Sequence, residues 1–262
     1  MEDRADYNFH VLDPTSEPDG LPAPAVEAPK SILPIDRIGA VIEVLACSGF
    51  PSQVLIILLL RAVGVQPHTA GGQLSPLFVF TVSMVDTALV LGLIVFFLRA
   101  RGERPRDVFV GYRSVPRELA LGLLMLPVAL VIVVAVMKTV MTVAPALHLP
   151  HNPFEDLLTN RRDAVIFGLV AMVAGGVREE TQRGFIVHRF DQFLGGGVGG
   201  VLVYSVLFGL GHLEQGADVA MATGVLGVFW GLLYLGRRSI IAPMASHAAF
   251  NLTQLVAYST LR

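Results

Sequence analysis

Charge is what this chain has least of. Only 15% of its 262 residues are Asp, Glu, Lys or Arg, where a soluble domain carries about a quarter. The deficit is concentrated in long uncharged runs. With 53% hydrophobic residues and a mean hydropathy of +0.65, those runs point to a polytopic membrane protein. Neither sign of charge dominates. The net charge is −2 and the arginines cluster in short loops, so nucleic acid is excluded as a partner for want of an electrostatic footprint. The single cysteine, Cys47, lies in an apolar stretch, which excludes an internal disulfide and any Cys-rich zinc site. There is no G-x-S-x-G elbow, no HExxH and no phosphate-binding glycine loop.

What is present falls into two parts. Residues 1–35 are acidic, proline-rich and poor in aromatics, and read as a disordered tail rather than a signal peptide. Residues 36–262 read as a single transmembrane helical domain. Ile38–Val65 is expected as a first span, bent near Pro51. Leu77–Leu98 and Leu119–Val140 follow, each long enough for about 30 Å of hydrocarbon. Ala164–Phe190 is a fourth helical segment with a charged cluster in its middle. Val198–His212 is short, and Val219–Leu235 and Ile240–Tyr258 close the chain. The fold class is all-α, a transmembrane bundle of about seven to eight helices. Between the third and fourth segments, His151–Arg162 opens on Asn-Pro and reads as an amphipathic helix at the interface.

Loop charge sets the expected orientation. The connection over 99–117 carries six arginines, whereas that over 65–76 carries none. The positive-inside bias puts the arginine-rich loop, and the N-terminus with it, in the cytoplasm. Glycines crowd the C-terminal half, from Gly175-Gly176 to Gly227 and Gly231. Close approach of transmembrane backbones explains such spacing; thinning of the wall around a buried cavity is the alternative.

The last segments hold the residues able to do chemistry. Ionisable groups are costly at bilayer depth and persist mainly when paired or working. Glu179 and Glu180 lie four and three residues before Arg183, so both share a helical face with it. One Glu–Arg pair is explained by a buried ion pair locking helices together. Two adjacent carboxylates repel and pull their proton affinities apart, which suits one of them to act as a general base. His212 follows Phe208 by four, at the end of the short segment, and alone reads as a helix-end cap. His247 and Asn251 are four apart on one face of the last segment, an arrangement also met in interhelical hydrogen bonding. Together these groups are the parts needed to activate a water, directly or on a zinc-type ion. Glu43 and Asp86 lie inside the first two spans, and Asp86 reads as a structural residue with a partner elsewhere.

In these elements the chain resembles the CPBP intramembrane proteases, also called the Abi or CAAX-protease-like family, which includes the Rce1-type prenyl-protein endopeptidase. That family's pattern is Glu-Glu-x-x-x-Arg, then Phe-x-x-x-His, then His-x-x-x-Asn. Phe208–His212 and His247–Asn251 match the second and third motifs, in order and spacing, and the resemblance spans roughly residues 100–260. The first motif departs, because Glu179-Glu180-Thr181-Gln182-Arg183 is one residue short. Anchored on Arg183-Gly184, the family's first Glu falls on Arg178 and its second on Glu179. Anchored on the pair, Glu179 is first and the arginine has slipped. Glu179 is favoured as the base, for its i,i+4 relation to Arg183, with Glu180 a close second.

The resemblance implies an endopeptidase cleaving membrane-associated, possibly lipidated, proteins or peptides in a prokaryotic inner membrane. It implies that a Glu takes a proton from water, that His212 positions that water, and that His247 with Asn251 stabilises the oxyanion. Arg183 and Phe208 support the site. No cofactor is required on this reading; a divalent metal such as zinc would take Glu179, His212 and His247. A silent scaffold or immunity-type protein and a proton-coupled transporter are the readings from other classes. The geometry raises one difficulty. Straight, full spans would put Glu179, His212 and His247 at different depths, so the Val198–His212 helix is expected to cross only part of the bilayer and to end on His212.

Overall fold

The structure, a computed structural model, describes residues 32–158 and 161–260. The expected tail lies outside the described residues up to position 31. Ten α-helices are described in chain order: α1 (Pro34–Ala46), α2 (Phe50–Ala62), α3 (Pro76–Ala100), α4 (Pro105–Phe109), α5 (Val115–Val143), α6 (Arg161–Ala171), α7 (Glu180–Phe193), α8 (Gly197–Leu210), α9 (Ala217–Arg237) and α10 (Ile241–Thr260). No strand is present among the described residues, only an isolated bridge between His68 and Leu74. The all-α expectation holds.

Helix starts are written in the sequence. Proline occupies the first turn of α1 to α5, where its missing N–H costs nothing. Ser75 caps α3 by accepting a bond from the Phe78 amide at 3.4 Å. The first span breaks as expected, with α1 and α2 bent by 41°. The turn falls on Gly49, whose φ of +85° only glycine adopts freely, and Pro51 then fits the start of α2. The Asn-Pro segment gives a single 3₁₀ turn, Pro153–Leu157, instead of an interfacial helix to Arg162. Leu157 turns fully inward there and ends the run.

Three helices, α3, α5 and α9, are long and apolar enough to cross a membrane, and the bent α1–α2 pair makes a fourth. Their outer faces expose large apolar side chains such as Phe96, Leu123, Leu124 and Val131. The other expected spans fall short because they hold the polar residues or, like α8, too few residues. The segment expected over Ala164–Phe190 is a continuous helix with a wide middle. Met172–Glu179 forms a π-helix joining α6 to α7, a geometry found mostly at functional sites.

The core draws on both halves of the chain, with Val44, Val90, Ile94 and Leu98 in one cluster with Phe185, Tyr204, Trp230 and Tyr234. Glycines bring α8 and α9 together: a Cβ on Gly227 would meet Ser205 at 3.0 Å, and one on Gly231 would meet Val201 at 2.8 Å. Helix packing therefore accounts for this pair.

Charges tie α1 and the turn after α3 to the end of α7. Glu43 of α1 pairs with Arg101 and Arg189, and Glu103 accepts from Arg189 at 2.7 Å and from Gln192 at 2.9 Å. Arg189 is fully buried, and two carboxylates reach it from α1 and the 101–104 turn. Burial alone would raise the Glu103 carboxyl; bonds from His188, Arg189 and Gln192 outweigh it and hold the group down at about 2.

Candidate active site

The two adjacent glutamates diverge. The π-helix ends at Glu179 and α7 begins at Glu180, so they leave the backbone where its winding changes. Glu180 turns inward. It is 1% exposed, forms an ion pair with Arg183, and accepts a 2.7 Å bond at Oε1 from His247 Nδ1. Arg183 is equally buried and lies over the rings of Phe208 at 4.8 Å and Tyr204 at 5.2 Å. The expected Glu179–Arg183 relation is thus corrected. Arg183 takes Glu180, three residues back, while Glu179 lies against Arg178 at 3.6 Å and His247 at 3.8 Å.

Glu179 faces a small cavity of about 80 Å³ instead. His212, Phe208 and Tyr204 line the same cavity from α8 and the turn after it, and Ser48, Phe50 and Gln53 close it from the α1–α2 break. α8 has 14 residues and rises only about 21 Å, which leaves His212 just past its end, half-buried at the cavity. His212 Nδ1 lies 2.8 Å from the Phe208 carbonyl. A carbonyl only accepts, so Nδ1 carries a proton and Nε2 is the nitrogen left for the cavity. The expectation of a partial helix ending on this histidine agrees with the geometry.

His247 stands between the two carboxylates. Its Nδ1 holds Glu180, and its Nε2 lies 3.8 Å from Glu179 Oε2. The ring stacks on Trp230 with centroids 4.0 Å apart and meets Phe208 at 82° between planes. Asn251 is one turn further along α10 and donates to the Ala171 carbonyl at 3.2 Å. Gly175 of the π-helix faces both residues: a Cβ there would collide with Asn251 Nδ2 and lie 3.6 Å from His247 Nε2.

Several participants escaped the sequence reading. Arg178 lines the cavity beside Glu179 and is paired with Asp86. Gln182 donates to the Cys47 carbonyl at 2.6 Å and accepts from the Tyr204 hydroxyl at 3.1 Å. Asp86 has the partner expected of it, but the partner is 92 residues away. Trp230 carried no signal beyond being the chain's one tryptophan. Among the described residues no group of three His, Cys, Asp or Glu side chains is set to hold a metal ion.

The motif helix, the short α8 with its histidine, and α10 all fall within one matched stretch. Residues 161–253 match the Rce1-like family. The family is described as type II CAAX prenyl endopeptidase Rce1-like, which bears out the resemblance. The match supports a CAAX-type protease, an integral membrane setting and a peptide substrate. The Rce1-like stretch begins at α6, later than the expected start near residue 100, and leaves α1 to α5 unmatched. No curated protein and no solved structure matches the chain.

Proposed function

We propose that this protein is an intramembrane endopeptidase that hydrolyses peptide bonds of membrane-associated or lipidated substrates with a Glu179-activated water. One observation carries the reading. Glu179 and His212 line the same cavity while Glu180 is consumed by Arg183 and His247. A carboxylate whose charged neighbours stand 3.6 and 3.8 Å off and an imidazole with Nε2 toward the cavity are suited to share one water, Glu179 taking its proton. On this reading His247, with Nδ1 on Glu180 and Nε2 3.8 Å from Glu179, acts as a donor, and Nε2 with the Asn251 amide stabilises the oxyanion formed on attack. Asn251 must leave the Ala171 carbonyl to do so. Convergence on one cavity favours a hydrolase over a transporter, whose polar groups would string toward both faces.

The test is cleavage of a quenched fluorogenic peptide, with and without a prenylated cysteine, by the protein in lipid vesicles. Cleavage lost in Glu179→Gln and His212→Ala, with thermal stability retained, is the expected result. Cleavage that survives Glu179→Gln overturns the assignment of the base.

A further inference from the structure

Asp86 sits in the middle of α3, outside the stretch that matches the family, and is 2% exposed. Three donors converge on it: the Ser52 hydroxyl, Gln53 Nε2 at 3.2 Å and Arg178 Nη2. Arg178 is itself buried and lines the catalytic cavity, where its Nη1 lies 3.6 Å from Glu179 Oε1. One guanidinium therefore stands between two carboxylates. It is bonded to Asp86 and stands off from Glu179 by more than a hydrogen bond. Its Nε has no hydrogen-bond partner among the described residues. The turn at Gly49 leaves room for this arrangement, since a Cβ there would lie 2.7 Å from Arg178 Nη2.

From this balance we infer that Asp86 is a positioning residue for the hydrolysis, holding Arg178 away from Glu179 so that the base stays free to take a proton. The inference rests on the proposed role of Glu179. In low dielectric a guanidinium without its counter-ion closes on the nearest carboxylate. Without Asp86 that carboxylate is Glu179, and a carboxylate tied into a bidentate pair is a poor proton acceptor. The Ser52 and Gln53 bonds fix Asp86 from the α1–α2 break, so the unmatched N-terminal helices take part in setting the site. The alternative is an ion pair that only locks α3 to the π-helix.

The experiment compares Asp86→Asn, Arg178→Gln and the double variant, using the prenylated peptide in lipid vesicles and an experimental structure of Asp86→Asn. In Asp86→Asn, kcat is expected to fall about 100-fold or more, on the scale of losing a general base, with KM little changed. The double variant is expected to regain most of that loss, because the competing charge has gone. A purely structural lock predicts the reverse, with the double variant no better than the single, and that result overturns the inference. The structure of Asp86→Asn decides independently of turnover. Arg178 closing to hydrogen-bond distance of Glu179 supports the inference, and a separation still at or beyond 3.6 Å overturns it. If the wild-type protein cleaves no peptide, the protease reading fails while the structural arm still decides the charge-holding role.

Discussion

The imidazole of His247 lies flat on the indole of Trp230, 4.0 Å between centroids and 15° between planes, while its Nδ1 is tied to Glu180. Two restraints on one ring fix both its plane and its rotation. Trp230 is fixed in turn by an indole N–H bond to Ser246 at 3.2 Å. Trp230→Phe keeps an aromatic face and is expected to retain most activity. Trp230→Leu frees the ring and is expected to lower kcat about 10-fold or more, a misplacement effect of the kind that geometry-dependent catalysis shows. Steady-state kinetics of the two variants at matched expression checks this.

The divergence of the glutamates predicts opposite phenotypes for similar substitutions. Glu179→Gln removes the cavity carboxylate, which is 15% exposed and whose nearest cation, Arg178, stands 3.6 Å away. Activity should drop by about 10²- to 10⁴-fold and the melting temperature should hold. Glu180→Gln leaves Arg183 buried without its counter-ion, a loss of about 3–5 kcal/mol where such pairs are broken. Its melting temperature should fall sharply, with activity lost through the displaced His247. Thermal unfolding in detergent beside turnover separates the two. Equal destabilisation by both would refute the division of roles.

How much of this was legible in the sequence depends on distance along the chain. His212, His247 and Asn251 announced themselves through four-residue spacings, which a straight helix converts directly into a shared face. The pairing of Arg183 did not. Spacings of three and four both put a carboxylate beside Arg183 on an α-helix, so local spacing does not choose between Glu179 and Glu180; the contact of Glu180 with His247 on α10 does. The one-residue departure from the family pattern falls where the π-helix ends. Arg178 was read only as a misaligned position, and its pairing with Asp86 joins α3 to the π-helix across a separation that no local spacing encodes. The N-terminal spans were visible as apolar runs; their contribution to the cavity, through Ser48, Phe50 and Gln53, depends on tertiary packing alone.

Acid should weaken the clasp at the helix ends. Glu103 has its carboxyl lowered from an ordinary 4.5 to about 2 by His188, Arg189 and Gln192. A group depressed on folding contributes stability that is fully present above its unfolded value and is lost as pH falls through the folded one. The contribution should therefore be complete above about pH 4.5 and fade toward about 2. Glu103→Gln is expected to flatten that part of the stability–pH curve. Thermal melts of wild type and variant between neutral pH and pH 3 measure it, and parallel curves would remove Glu103 as the source.

Gly175 gives the sharpest test of the oxyanion arrangement. A methyl group there would run into Asn251 Nδ2 and press toward His247 Nε2, yet the position is helical and alanine suits its backbone. Gly175→Ala should thus leave the fold standing and displace the two donors. Losing one oxyanion donor costs about 10²–10³ in kcat, and the alanine variant should approach that range with KM nearly unchanged. Asn251→Ala should give a loss of the same order. The double variant should add little to either, since both act on one interaction. Multiplicative losses in the double variant would mean that Gly175 serves helix packing against α10 and that Asn251 acts elsewhere. Kinetics of the three variants on the prenylated peptide distinguishes those outcomes.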